Sequence, residues 1–182
     1  MDRITALILI LIISPLLLLC LLISFINFKC NPIFTQQRTV DGRFFFTFYK
    51  IRSMYKAAPN IPTNEFKNPE TFISPWGSFM RMHSIDELLN LICIVRGDMK
   101  FIGPRPILAV ETELILLRRR NSVNCKAGIT GLAQISGRDD ITINRKVACE
   151  RYYNHKRTSF FFRVFLITKT FQIVLKGTGI KH

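Results

Sequence analysis

Two adjacent acids, Asp86 and Glu87, stand at the head of an apolar run made by Leu88, Leu89, Leu91 and Ile92. Ser84 and Glu87 fit the S-x-x-E capping pattern, in which a hydroxyl and a carboxylate each satisfy a first-turn N–H. The spacing predicts a helix that starts at Ser84 and stops near Gly97. Exposed N–H groups at such a start favour an ionised carboxylate and also suit phosphate. An ionised Asp there could attack phosphorus and form an acyl-phosphate. Neighbouring acids lie about 100° apart round a helix, so Glu87 would need a different task from Asp86. The local pattern leaves two readings open: a capped helix with well-placed acids, or a nucleophile at a phosphate site.

The residues that could serve such a site are spread along the chain. Lys50 and Arg52 stand two apart in a strand-like segment and would share a face, as an anion clamp or as solvated charges. A rigid loop, Gly103-Pro-Arg-Pro106, follows the Asp-Glu pair. The glycines of Gly128-Ile-Thr-Gly131 and Gly137 permit close backbone approach, a weak sign of phosphate binding on its own. The run Arg118-Arg119-Arg120 closes a helical pattern that begins at Ile107. Basic residues are favourable at a helix C-terminus in themselves; contact with phosphate or lipid is the functional alternative.

With 182 residues the chain is long enough for one domain with a sizeable core. Lys and Arg number 26 against 12 Asp and Glu, a net charge of +14 that seeks a polyanion. A hydrophobic content of 48% with 16 Phe favours a membrane surface over nucleic acid, and no nucleic-acid reader motif is present. The five cysteines, Cys20, Cys30, Cys93, Cys125 and Cys149, show no C-x-x-C spacing. They read as reduced packing residues of a cytosolic compartment, and no His lies at zinc-ligand spacing from a Cys pair.

The elements that must position these residues begin with Ile4–Phe28, an apolar stretch long enough to cross a bilayer. It makes a poor signal peptide, because the apolar run is too long and no small-x-small cleavage site follows. Pro15 removes one helical hydrogen bond, and Ser14 can answer the freed carbonyl. A kinked spanning helix and a helix-break-helix that returns to the same face both fit. Lys29, Arg38, Arg43, Lys50 and Arg52 place its downstream side in the cytosol. Pro32–Thr35 and Arg43–Ile51 predict a short hairpin about Asp41-Gly42, with about half of its Phe cluster in the core. Tyr55–Phe72 reads as a surface loop, Ser78–His83 as a short helix, and Ile107–Arg120 and Ile143–His155 as longer ones. In the apolar segment Thr158–Lys176, Lys169, Gln172 and Lys176 share one helical face, which suits a helix lying in a membrane interface.

Taken together, the motifs resemble the bacterial sugar transferases, the monotopic polyprenyl-phosphate phosphoglycosyl transferases in their minimal catalytic form. Phe34-Thr-Gln-Gln-Arg38 is similar to the F-x-Q-x-R stretch of that family, and Tyr49-Lys-Ile-Arg-Ser-Met54 to its Y-K-F-R-T-M. Arg81–Leu88 resembles R-x-x-S-x-D-E-L; Gly97-Asp-Met99 and Gly103–Pro106 resemble G-D-M and G-P-R-P. Gly128–Gln134 with Gly137-Arg138 resembles G-I-T-G-x-A-Q and G-R. The resemblance spans nearly the whole chain, and the shared order and spacing carry it.

The resemblance implies an α/β fold: a re-entrant membrane helix over residues 1–28, interrupted at Ser14-Pro15, and a cytosolic catalytic domain over residues 29–182. That domain would hold a small β-hairpin region and several interfacial amphipathic helices. It implies transfer of a phospho-sugar from a UDP-sugar to a polyprenyl phosphate such as undecaprenyl phosphate, at the inner membrane, to begin a surface glycan. UMP would leave, and an aspartyl-phosphosugar would form on Asp86. Glu87 would serve metal binding or proton handling. Mg²⁺ would be the cofactor, with Asp86 and Glu87 as its protein ligands. Lys50, Arg52, Arg81, Arg105 and Arg138 would neutralise phosphates. The partners implied are the nucleotide-sugar, the lipid acceptor and membrane lipid, without nucleic acid; a homodimer stays open. The chain departs from the family pattern at Val40, Cys93, Lys126-Ala127, Leu132, Glu150 and Arg163, and only Met1-Asp2-Arg3 precedes the apolar segment. The alternative function is a non-catalytic membrane-surface module that binds anionic lipid or a glycan-assembly partner.

Overall fold

The structure, a computed structural model, describes residues 2–59, 61, 68–137 and 141–176. The chain divides into two compact units. Of the described residues, one holds the chain up to Gln36 together with Thr47–Gly97; the other holds Gln37–Phe46 and the chain from Asp98 to Lys176.

The first unit is built on α1 (Asp2–Phe28), which is long and apolar enough to cross a membrane. One stripe of it is turned inward along its whole length: Ala6, Leu17, Cys20, Ser24 and Phe28 are buried, and Ile10 and Ile13 are half-buried between them. That spacing is one helical face. Pro15 lies inside the helix, whose hydrogen-bonded pattern continues through it. Ser14 Oγ donates to the Leu11 carbonyl at 2.8 Å, the group that Pro15 deprives of its ordinary N–H partner. The predicted pairing of Ser14 with Pro15 is therefore seen, while the helix is not interrupted there.

The inward stripe forms part of the core of this unit. Leu17 and Cys20 pack with Ile51, Met80 and Leu89. Ser24, fully buried, accepts the Trp76 indole N–H at 2.9 Å, and its hydroxyl faces Met80 Sδ at 3.8 Å. The Phe28 ring meets Tyr55 edge-on. At the other end, the Arg3 guanidinium lies against Gly97, where an added Cβ would come within 2.0 Å of it. Both ends of α1 are thus fastened to the same unit.

Helix α2 (Pro75–Met82) opens on the Ser74 hydroxyl, which accepts from Gly77 N at 3.0 Å, with Pro75 in the first turn. A 3₁₀ helix, Ile85–Asn90, follows and runs into α3 (Leu91–Arg96). Gly97, at φ 91°, ends α3 as the spacing predicted. Leu91, Cys93 and Ile94 are buried.

Strands β1 (Ile33–Thr39) and β2 (Phe45–Ile51) pair about the predicted turn. Gly42 has φ 75°, its N–H meets Thr39 Oγ1 at 2.8 Å, and Asp41 Oδ1 accepts from Arg43 N at 3.1 Å. Phe48 is buried, whereas Phe44 and Phe45 are exposed, so the Phe cluster is divided as expected.

The second unit contains a strand pair that the sequence did not announce. β3 (Met99–Ile102) and β4 (Ala127–Thr130) run parallel, with Met99 opposite Ala127 and Ile102 opposite Thr130. Around them lie α4 (Thr112–Arg120), α5 (Leu132–Ile135), α6 (Ile143–Lys156) and α7 (Phe160–Lys176). Helix α4 starts later than the periodicity implied. Ile107 exchanges both backbone hydrogen bonds with Thr39, so that stretch is extended rather than helical. Ile107, Leu114, Ile115, Val123 and Val147 form one core; Ile102, Tyr153 and Leu166 form another. The Tyr153 hydroxyl donates to the Ile102 carbonyl at 2.8 Å. Helix α7 buries Leu166 and leaves Phe160, Phe161, Phe165 and Phe171 exposed. All five cysteines are free, with Cys20 and Cys93 fully packed. Burial, and then the nearby Glu150 charge, push the Cys125 thiol up to about 11.

Candidate active site

Asp86 and Glu87 occupy the first turn of the 3₁₀ helix, and the structure gives both the same cation. Lys50 Nζ, from β2, lies 2.9 Å from Glu87 Oε1 and 3.8 Å from Asp86 Oδ2. Asp86 is 4% exposed. The acids are roughly 120° apart along a 3₁₀ helix, so they approach the ammonium from different sides instead of lying parallel. The Lys50 ammonium also sits 5.6 Å from the Phe48 ring centroid. In this partly desolvated setting an ion pair is stronger than on an open surface.

The local structure differs from the predicted capping box. Ser84 is in the left-handed region, at φ 55°, and its side chain makes no cap hydrogen bond. Glu87 N is held instead by the Ser84 carbonyl at 3.3 Å. With the backbone turned at Ser84, the half of the reciprocal box that its hydroxyl would make does not form.

Asn90 completes the support, and sequence reasoning missed it. It is 1% exposed. Its Oδ1 accepts from Tyr49 N at 3.0 Å, and its Nδ2 donates to the Glu87 carbonyl at 3.1 Å. One amide therefore ties the backbone beside Lys50 to the backbone of Glu87. The available signal was an Asn inside an apolar run, where a buried amide must find partners. Ile51, on the other side of Lys50, is anchored in the core with Leu17, Met80 and Leu89.

The remaining predicted residues are distributed as follows. Strand β2 ends at Ile51, and Arg52 Nε turns to the Asn31 carbonyl at 2.8 Å with its guanidinium over the Phe34 ring. Arg81, in the last turn of α2, reaches Met54 Sδ at 3.4 Å. Arg105 belongs to the second unit. Arg138 lies outside the described residues.

Arg105 is displayed by a fixed loop. It is exposed, while Gly103, Pro104, Pro106 and Ile107 around it are buried. The Pro104 carbonyl accepts from Gly128 N at 2.9 Å, and Gly103 N donates to Thr130 O at 2.8 Å. The two glycines meet closely: a Cβ on Gly128 would stand 2.0 Å from Gly103 N. Gly128→Ala is expected to lower stability by about 1–3 kcal/mol through this overpacking, and to displace the loop. Denaturant titration of the folded protein checks it.

The bacterial sugar transferase family model matches residues 1–177, nearly the whole chain and all of the residues just described. The chain belongs to the bacterial sugar transferase family. Among related sugar transferases, the galactosyl transferase CpsE of Streptococcus agalactiae is 34% identical over 160 residues, covering 82% of this chain and 36% of that protein. The undecaprenyl-phosphate galactose phosphotransferase of Salmonella typhimurium is 29% identical over 162 residues, covering 81% of this chain and 34% of its own length. The exopolysaccharide production protein ExoY of Rhizobium meliloti is 28% identical over 193 residues, covering 98% and 85%. The chain thus spans about a third of the length of the first two relatives.

Proposed function

We propose that this sugar transferase moves a phospho-sugar from a UDP-sugar to a polyprenyl phosphate through a covalent intermediate on Asp86. The observation that carries the reading is buried Asp86 and half-buried Glu87 both facing Lys50, together with membership of the family. Two relatives, an undecaprenyl-phosphate galactose phosphotransferase and a UDP-N-acetylgalactosamine-undecaprenyl-phosphate N-acetylgalactosaminephosphotransferase, support the lipid acceptor.

In the first step an Asp86 carboxylate oxygen attacks the phosphorus bonded to the sugar. The bond from that phosphorus to the bridging oxygen breaks, and UMP leaves with the electron pair. In the second step a phosphate oxygen of the polyprenyl phosphate attacks the same phosphorus, and the carboxylate is released unchanged. Lys50 faces the nucleophile and offsets negative charge as it develops. Glu87 holds the ammonium in place. Arg52, Arg81, Arg105 and Arg138 are assigned to the phosphates of the two substrates.

The donor set suits Mg²⁺, which takes one or two carboxylates and completes its shell with water and substrate phosphate. Among the described residues no group of three or more His, Cys, Asp or Glu forms a protein cage. Asp86 and Glu87 would hold the ion, and bound Mg²⁺ would neutralise diphosphate charge.

We also place α1 as a re-entrant element with both ends on the cytosolic face. Arg3 lies against Gly97 and Phe28 against Tyr55, both in the unit that carries Asp86. A helix that crossed the bilayer would carry Arg3 to the far side and lose the Gly97 contact. The exposed apolar residues of α7 fit a helix resting in the interface.

The test is UMP release by detergent-purified protein supplied with Mg²⁺, undecaprenyl phosphate and a panel of UDP-sugars. Release with one donor, dependent on the lipid, is the expected result and names the sugar. Folded protein that releases no UMP with any donor, yet binds anionic vesicles, would favour the surface-module reading.

A further inference from the structure

The run Arg118-Arg119-Arg120 closes the last turn of α4, as the spacing predicts, but Arg118 is turned inward and not toward a surface anion. Arg118 is 1% exposed and Glu150, on α6, is 3% exposed. Arg118 Nε donates to Glu150 Oε2 at 2.7 Å, and its Nη2 donates to Glu150 Oε1. The guanidinium has two further acceptors. Nη1 donates to the Val40 carbonyl at 2.9 Å, and Nη2 also donates to the Arg105 carbonyl at 3.0 Å. A planar fork can serve a carboxylate and two carbonyls at once; an ammonium cannot reproduce that geometry.

The loop it grips is held at every carbonyl from Pro104 to Ile107. Pro104 O accepts from Gly128 N, Arg105 O from Arg118, Pro106 O from Arg38 Nη1 at 3.3 Å, and Ile107 O from Thr39 N at 2.9 Å. Only the bond at Arg105 itself comes from a buried charged pair. Burying such a pair is costly and is a poor way to gain stability alone. A site that must hold one side chain in a fixed direction is where that cost has a purpose.

We infer that Arg118 and Glu150 are positioning residues: the buried pair fixes the backbone of Arg105 so that its exposed guanidinium is preorganised for substrate phosphate. This rests on the proposed phosphate role of Arg105. It gives Glu150 a task at one of the positions where the chain departs from the family pattern.

The experiment is a double-mutant cycle on full-length protein, reading kcat and KM for UMP release and the thermal midpoint of each variant. Arg118→Lys keeps the charge and loses the fork. It is expected to lower kcat at least tenfold with donor KM changed less than threefold. In an Arg105→Ala background the same change is expected to lower the residual kcat less than twofold. An equal loss in both backgrounds would overturn the inference and leave the pair a purely structural one. Full activity of Arg105→Ala would overturn the phosphate role first, and the positioning role with it. Where Arg118→Lys does not fold, Glu150→Asp, which withdraws the carboxylate by one methylene, is carried through the same cycle with the same criteria.

Discussion

Asp86→Asn is expected to abolish sugar-phosphate transfer while leaving the protein folded. The amide is nearly isosteric with the carboxylate but cannot act as the nucleophile at phosphorus. Loss of a covalent nucleophile costs on the order of 10⁴–10⁶ in kcat where it has been measured alone. Two readouts separate this from damage to the site. Intact mass of the parent protein incubated with donor alone should show the phospho-sugar adduct, and the variant should show none. The thermal midpoint should stay within a few degrees, because removing one charge from a group 4% exposed also removes its desolvation cost. An active Asp86→Asn enzyme would refute the covalent mechanism and leave Asp86 as a supporting acid.

Lys50→Met is the second large effect, and it should act on stability and activity together. The Lys50, Asp86 and Glu87 side chains are 17%, 5% and 14% exposed. Removing the cation takes away an ammonium that both carboxylates face. Breaking a buried pair from one side costs roughly 3–5 kcal/mol, and losing one preorganised electrostatic contact costs about 10²–10³ in kcat. The thermal midpoint should therefore fall by several degrees and the rate by at least a hundredfold. Adding Glu87→Gln to Lys50→Met should recover part of the stability without recovering the rate, since it removes one of the two carboxylates that faced the ammonium and does not restore Lys50. If the double variant regained activity, Lys50 would be serving the fold of the site and not its chemistry.

Much of this could be read in the residues. Asp41-Gly42 marked its turn and Gly97 its helix stop, because each is fixed by local backbone chemistry, whereas the short helix expected over Ser78–His83 begins earlier, at Pro75. Ser14 answering Pro15 was legible for the same reason. What escaped depends on partners far along the chain. β3 and β4, four residues each, are too short to display an alternating pattern, and their register is set by each other. Ser84 matched a capping motif that its positive φ prevents from forming. Arg118 looked like a solvated helix end because its carboxylate lies 32 residues away, on another helix. Asn90 was hidden in the same way: nothing near it in sequence shows that Tyr49, 41 residues back, waits for its carbonyl. At the site itself, the acids and Lys50 were found by residue type, and the amide that holds them together was not.

The inward stripe of α1 has a consequence for how the protein comes to be active. Leu17 and Cys20 belong to the core that also contains Ile51 and Leu89, the neighbours of Lys50 and of the Asp-Glu turn. The inward stripe of α1 is therefore one wall of the core that backs Lys50 and the Asp-Glu turn, and losing its docking would loosen both. A chain released without its lipid environment would have to choose between hiding the outer, apolar side of α1 and presenting the inner side to Met80 and Trp76. Membrane delivery resolves that choice, so that the proposed transfer would be switched on only at a lipid surface.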